Sequence, residues 1–177
     1  MRWEEKVPNY KIFLTCFLQL EPATALHPLD PLEKAKGRLL VEKFGKMRSP
    51  YYGVLLAKGD SPEEVTKKRL EMFNEVKKTL DCMDKELKNK GSKFFSGDSV
   101  GMTDLMVWPW IERLPAYKVL MPGANLDIPV ELNSLLAWIK NMWEEPAVKA
   151  YGLDGETHAK FYMQSSSDNC NYDMLLN

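Results

Sequence analysis

Residues 94–114 read FFSGDSVGMTDLMVWPWIERL, and this segment indicates most clearly which kind of fold the chain adopts. Its apolar residues surround almost the whole circumference of a helix, a pattern typical of a helix buried at the centre of a bundle. It also contains Trp108-Pro109-Trp110, and a proline inside a helix removes one backbone hydrogen bond and kinks the helix. We therefore predict a kinked central helix over residues 101–117, with its two indoles used for packing.

The start of this helix is well specified by local chemistry. Gly101 is a tolerable N-cap, and Asp104 occupies the third helical position, where its carboxylate can accept a hydrogen bond from the Gly101 N–H. Val100 before the cap and Leu105 after it form a hydrophobic staple. We therefore assign Gly101, Asp104 and Pro109 structural roles and give Asp104 no role in chemistry.

Helix signals also precede this segment. Asp30-Pro31 predicts a helix start, with the aspartate as N-cap and the proline at the first helical position. Ser49-Pro50 should bend or interrupt that helix, because proline disfavours the helical conformation in the residue before it. Residues 51–58 then continue as helix.

A capping box of Ser61 and Glu64 predicts the start of a long amphipathic helix, and Gly91 is its C-cap. Further helices are predicted over residues 130–143, 146–151 and 156–164. The chain from residue 30 onward is therefore predicted to be all-α. The core-facing residues of the long helix repeat in steps of three and four: Val65, Arg69, Phe73, Val76, Leu80, Met83 and Leu87.

Composition excludes several classes of function. The 177 residues are 45% hydrophobic and 28% charged, with a formal net charge of -1. There is no basic excess to attract nucleic acid or an anionic membrane, and no apolar run reaches the length of about 18 residues that a membrane span needs. The first residues lack the features of a signal peptide. We expect a cytoplasmic protein that binds neither nucleic acid nor a membrane.

The cysteines and histidines do not form a recognisable site. Cys16, Cys82 and Cys170 are odd in number and widely spaced, which indicates a reducing compartment rather than a disulfide scaffold. With only His27 and His158 in addition, we expect no metal site, and we interpret all three cysteines as plain thiols.

Three motifs resemble the omega-class glutathione transferases. In this family the sixth helix opens with a capping box and runs into a WPW-x-E-R sequence, as residues 94–114 do here. The resemblance extends over residues 28–175. It implies a C-terminal-type helical bundle over residues 29–177, preceded by an irregular or strand-like arm at 1–28 that is a remnant or rewritten terminus. The other matching motifs are Asp30-Pro31-Leu32-Glu33-Lys34-Ala35 and Leu136-Ala137-Trp138-Ile139-Lys140.

Two departures from the family matter. Its N-cap is usually Ser or Thr where this chain has Gly101, a change that costs a few tenths of a kcal/mol. The family also carries a thioredoxin-like domain that binds glutathione, with a catalytic cysteine in a Cys-Pro-Phe motif that this chain lacks. Cys16 lies in an apolar run, where burial would raise its pKa. Of the glutathione site, only Val7 in Lys6-Val7-Pro8 resembles the family. The family next has a Glu-Ser pair that binds the γ-glutamyl carboxylate of glutathione. This chain has Glu21-Pro22 near that spacing, and Pro22 lacks the hydroxyl and the backbone N–H of a serine.

We therefore expect no bound glutathione and no or weak transferase activity from this chain alone. The resemblance implies a site for a second, apolar substrate, lined by aromatic residues and one arginine. The alternatives remain that the tyrosines belong to the core or to an interface, and that Arg113 pairs only with Glu112 or a nearby carboxylate. The implied site residues are Tyr51, Tyr52, Leu55, Trp110, Arg113 and Tyr162.

Three functions stay open. The chain is a transferase-like protein with lost or altered catalysis that binds apolar ligands, or an enzyme whose catalytic half is supplied elsewhere, or a helical protein-interaction module. In the family, part of the helical surface packs against the thioredoxin-like domain and across a dimer. An uncovered apolar face should therefore demand a homodimer or another partner.

Overall fold

The structure is a computed structural model that describes residues 26–165. All of its regular elements within that range are helices, apart from an isolated bridge between Phe94 and Gly97. The all-α fold class predicted from the sequence is confirmed. The helices are α1 (Pro31–Gly45), α2 (Arg48–Leu56), α3 (Pro62–Lys90), α4 (Met102–Glu112), α5 (Ala116–Leu120), α6 (Asn133–Glu144), α7 (Pro146–Tyr151) and α8 (Gly155–Ser165).

The longest described helix, α3, contacts two other helices of the domain. It packs against α2 on one side and α6 on another, while α1 packs on α4 and α5 packs on α8. The predicted apolar stripe is buried from its middle to its end, whereas Arg69 nearer the start stays partly exposed. Gly91 closes the helix in the left-handed conformation at φ 65°, which glycine adopts without strain. The buried residues of α3 are Phe73, Val76, Leu80, Met83 and Leu87.

The helix starts follow the predicted caps, with one difference. The Asp30 carboxylate accepts from the Leu32 N–H at 3.0 Å, and the Ser61 hydroxyl accepts from the Glu64 N–H at 3.2 Å. The reciprocal half of the capping box is missing, because the Glu64 carboxylate accepts from the Asp60 N–H instead, at 2.9 Å. The side chain of Glu64 therefore caps one residue earlier than predicted.

The break between the first two helices lies at residues 46–47, before the predicted Ser49-Pro50 position. Pro50 occupies the first turn of α2, where the missing N–H would have no helical partner in any case. The proline therefore lies in the first turn of the second helix and does not interrupt it.

The predicted central helix over 101–117 is divided in two. Helix α4 ends at Glu112, and Arg113 to Pro115 form a turn before α5. Pro115 lacks an N–H and disfavours the helical conformation at Leu114, so the helix ends ahead of it. Pro109 lies inside α4 as predicted, and the Arg113 guanidinium donates to its carbonyl oxygen at 2.8 Å.

Candidate functional site

Tyr51 is the centre of the candidate site. Its side chain is fully buried, and its hydroxyl lies 2.7 Å from the hydroxyl of Tyr162 on α8. The Tyr117 hydroxyl of α5 donates to the Tyr51 carbonyl oxygen at 2.9 Å. Three helices that are distant in sequence therefore meet at one tyrosine.

Aromatic rings surround this residue and extend to the surface. The ring centroids of Tyr52 and Trp110 lie 5.4 Å and 5.7 Å from that of Tyr51, and 6.2 Å from each other, all edge-to-face. Tyr52 is 40% exposed and Trp110 is partly buried. We call Tyr51, Tyr52, Trp110 and Tyr162 the aromatic cluster. Of these four side chains, that of Tyr51 is fully buried and that of Tyr52 is the most exposed.

The hydroxyls of this region remain protonated at neutral pH. Burial raises the pKa of Tyr51 far above its usual value, and its hydrogen bond with Tyr162 adds to the effect. Burial also raises the pKa values of Tyr117 and Tyr162. These groups can donate or accept a hydrogen bond to a ligand, but they do not supply a phenolate.

Arg113 lies close enough for its charge to oppose the rise in the pKa of Tyr51 and Tyr162. Its guanidinium bonds the Pro109 carbonyl rather than Glu112. The Glu112 carboxylate lies 3.7 Å from Nε2 of His158 on α8, and it accepts from the N–H of Leu153, just before that helix, at 3.1 Å. The surface pair that was one alternative for Arg113 is therefore not formed with Glu112.

The remaining residues considered from the sequence are not members of the aromatic cluster. Leu55 is partly buried and packs against the core, as a neighbour of the aromatic cluster along α2. Val7, Cys16 and Cys170 lie outside the described residues, as do residues 1–25 of the arm predicted at 1–28. Tyr117 was missed by the sequence reasoning, because a five-residue helix shows no periodicity that would mark its buried face.

A cleft lies elsewhere, between α1 and the end of α3. It has a volume of about 720 Å³, and its lining includes Pro28, Leu40 and Phe95 but no member of the aromatic cluster. Among the described residues, no group of His, Cys, Asp and Glu is arranged to hold a metal ion, and none of their helices could cross a membrane.

A comparison with protein families matches residues 66–141 to the glutathione S-transferase C-terminal domain. The chain is 32% identical over 156 residues to pyrimidodiazepine synthase of Drosophila melanogaster, covering 88% of this chain and 58% of that protein. It is 29% identical over 156 residues to glutathione S-transferase omega-1 of Rattus norvegicus, covering 86% and 60%. The chain therefore spans about three fifths of the length of these curated relatives.

Solved structures agree on the fold. A tau-class glutathione S-transferase from mango (Mangifera indica) superposes with a TM-score of 0.69 at 21% identity, over 86% of this chain and 66% of that one. The glutathione S-transferase Blo t 8 superposes with a TM-score of 0.57 at 16% identity, over 77% and 60%. At these identities the likeness bears on the fold alone.

Proposed function

Since this chain belongs to the glutathione S-transferase family through its helical domain, with omega-class relatives, we propose that it binds an apolar organic molecule on its aromatic cluster and does not itself activate glutathione. Binding by the cluster would correspond to the second-substrate half of a transferase. The observation that carries the proposal is the edge-to-face packing of Tyr52 and Trp110 around the buried Tyr51. We further propose a cytoplasmic location, which the three widely spaced cysteines support.

The geometry favours binding over catalysis. A rigid ring surface with an arginine beside it suits an apolar ligand that carries a negative or polar group. The tyrosine hydroxyls are neutral, because burial raises their pKa values. A molecule resting on Trp110 would therefore meet hydrogen-bonding groups and one cation, but no nucleophile supplied by the cluster.

The thiol of Cys82 lies in a groove that is separate from the aromatic cluster. It is the one cysteine among the described residues, and it lines a groove with Phe44 and Met72 between α1, α2 and α3. No residue of the aromatic cluster lines that groove. A ligand bound on the cluster would thus not meet this thiol, which supports a chain without thiol-transfer chemistry of its own.

The ligand part of the proposal is tested with anilinonaphthalene sulfonate, an apolar anionic probe, followed by quenching of tryptophan fluorescence. We expect saturable binding that weakens at least about fivefold in Tyr52→Ala and Arg113→Ala, since each removes one recognition element. Tyr151→Ala is the matched control, because Tyr151 is 85% exposed on α7. Equal affinities for all four proteins would exclude the cluster as the site.

The glutathione part is tested by calorimetric titration with millimolar glutathione beside a thiol-transferase assay. We expect no heat of binding and no turnover. Binding with turnover would contradict this part, and Val7, Cys16 and Glu21 would then be the residues to mutate. Turnover that appears only when a second protein is added would instead favour an enzyme whose catalytic half is supplied elsewhere.

An interaction module is the second candidate function. It is favoured by exposed apolar side chains on α1, where Leu32 and Leu39 face solvent. A homodimer or another partner covering this helix would make the melting temperature depend on protein concentration. A melting temperature independent of concentration would contradict the homodimer.

A further inference from the structure

The cleft between α1 and the end of α3 has the size and the lining of a small-molecule site. Its volume of about 720 Å³ falls within the range of about 300–1,000 Å³ that such sites occupy in proteins. Of the side chains that line it, Phe95 is buried, Leu40 is partly buried against the core, and Leu39 is 65% exposed. The cleft therefore offers an apolar surface to the body of a ligand.

Thr103, the second residue of α4, contributes an unpaired hydroxyl to this cleft. The residue is only 7% exposed, and its hydroxyl forms no hydrogen bond with any other described residue. The oxygen lies at the contact between α1 and α4, since a Cβ at Gly37 would approach it to 2.8 Å. Unlike Nε2 of His158, it is not cut off from solvent. Because buried polar groups nearly always have a hydrogen-bond partner, this hydroxyl indicates a ligand that would supply one.

Lys90 carries a positive charge that no carboxylate among the described residues neutralises. Its ammonium donates to the Phe95 carbonyl oxygen at 2.6 Å. The other four charged side chains of the lining pair with one another, so the cleft has one positive charge in excess. A ligand with a single negative charge would complement it. The two ion pairs, each with an N···O distance of 2.7 Å, are Lys36 with Glu33 and Lys43 with Glu86.

The ammonium of Lys90 and the hydroxyl of Thr103 lie at the same end of the cleft. Both are held next to the Phe95-Ser96 segment: Lys90 bonds the Phe95 carbonyl, and the Ser96 N–H donates at 3.1 Å to Asp104, the residue after Thr103. Ser96 also lines the cleft and adds a second hydroxyl. The Asp104 carboxylate is fully buried and accepts from four N–H donors, which compensate its charge. One cation and two hydroxyls therefore converge there.

We propose that this cleft binds a monocarboxylate with an apolar tail, such as a medium-chain fatty acid. The carboxylate accepts hydrogen bonds from the Lys90 ammonium and from the hydroxyls of Thr103 and Ser96. The tail lies along Leu40 and Phe95, where its burial from water stabilises the complex.

Decanoate matches the length of the cleft. The lining residues of α1 run from Glu33 to Lys43, which is about 15 Å at 1.5 Å per helical residue. Nine C–C bonds of about 1.5 Å make decanoate shorter than about 14 Å. Since no residue of the aromatic cluster lines the cleft, this site does not depend on ligand binding at the cluster.

Calorimetric titration of the full chain with decanoate tests the proposal. We expect saturable binding that weakens at least about fivefold in Thr103→Val and in Lys90→Met, since each variant removes one donor to the carboxylate. Lys88→Met is the matched control, because Lys88 is exposed in the same last turn of α3 but does not line the cleft. Decanol should bind the wild type more weakly than decanoate does, and Lys90→Met should not weaken it further.

Several outcomes would overturn the proposal. Absence of decanoate binding to the wild type, or equal weakening by Lys88→Met and Lys90→Met, would show that the cleft does not recognise the carboxylate. Weakening by Tyr52→Ala alone would place decanoate on the aromatic cluster, which removes this site and leaves the proposed function standing. Affinity that falls as the protein concentration rises, with a dimer mass in light scattering, would assign the cleft to an interface between two copies.

Urea denaturation separates a role of Thr103 in binding from a role in folding. Thr103→Val keeps the branched shape of the side chain and removes a hydroxyl that has no partner among the described residues, so its urea midpoint should not fall below that of the wild type. A lowered midpoint with unchanged decanoate affinity would assign the hydroxyl to folding and contradict the site.

Discussion

The Asp104 carboxylate accepts a hydrogen bond from the Trp138 indole N–H at 2.8 Å, which ties the first turn of α4 to the middle of α6. Asp104 is fully buried, and it also accepts from the backbone N–H groups of Phe95, Ser96 and Gly101. One carboxylate therefore holds a helix start, the loop before it and a helix 34 residues away. The four donors explain how an aspartate can occupy the core.

Replacing this carboxylate should destabilise the domain strongly. Asp104→Asn puts an NH2 group against donors that need an acceptor, so we expect a loss of about 3 kcal/mol in the free energy of unfolding. Urea denaturation followed by circular dichroism measures it. Asp127→Asn is the control, because Asp127 is half-exposed in an ion pair with Lys118 and should cost less than about 0.5 kcal/mol. Similar losses for both variants would deny Asp104 its structural role.

Gly101 is required by space and not by its cap chemistry. A Cβ at this position would lie 2.9 Å from the Leu26 carbonyl oxygen and within 2.5 Å of Ser96 side-chain atoms. We therefore expect Gly101→Ser to destabilise by about 1–2 kcal/mol, because crowding outweighs the few tenths gained from a better N-cap. The urea midpoint measures the change. A rise in the midpoint would show that the loop moves aside at little cost.

The Glu112 side chain predicts a dependence of stability on pH. Burial alone would raise its pKa, but the nearby His158 imidazole and the hydrogen bond from the Leu153 N–H outweigh burial and lower the pKa from its usual value. A lowered folded-state pKa stabilises the fold above the ordinary value, and this contribution is lost as the pH falls through the folded-state pKa. The stability advantage of the wild type over Glu112→Gln should therefore shrink below about pH 4.5.

Urea denaturation of both proteins at several pH values between neutral and acid checks this. Glu71→Gln, an exposed position on α3, is the control and should show a nearly constant difference from the wild type. A Glu112→Gln difference that stays constant to acid pH, or grows, would contradict the role given to Glu112.

Removing the Tyr51 hydroxyl should have opposite effects at neutral and alkaline pH. Tyr51→Phe loses the 2.7 Å bond to Tyr162, which we expect to cost about 1 kcal/mol at neutral pH. Burial raises the folded-state pKa of Tyr51, so its contribution is present below the unfolded value of about 10 and is lost as the pH rises above it. The variant should therefore lose less stability than the wild type on alkaline titration.

Thermal unfolding across the alkaline range measures this difference. Tyr52→Phe is the matched control, since its ring is more exposed, and it should follow the wild type. If Tyr51→Phe lost stability at alkaline pH as steeply as the wild type, the burial of the hydroxyl would not be coupled to folding.

Local signals in the sequence were reliable because their causes lie within one turn of helix. The Asp30 and Ser61 caps form as predicted, and so does the contact of Asp104 with the Gly101 N–H. The end of α4 was placed too late. Pro115 ends that helix, and it lies at the edge of an apolar pattern that otherwise continues.

The candidate site was only partly predictable. Tyr51, Tyr52, Trp110 and Tyr162 came from the family resemblance, and the structure brings their rings together. No local pattern in the sequence indicates that Tyr51 and Tyr162, separated by 111 residues, share a hydrogen bond. Periodicity assigns a residue to a buried face but not to the helix that it will meet there.

By itself the sequence determined the helices, their caps and the all-α class, since propensity, capping and apolar spacing act over a few neighbouring residues. Only the tertiary structure decided which residues of different helices contact one another. It gave the Asp104 carboxylate its partner Trp138, placed Tyr51 at the junction of three helices, and left Leu32 and Leu39 of α1 exposed. Such contacts depend on how whole helices pack, and packing joins residues that no short stretch of sequence holds together.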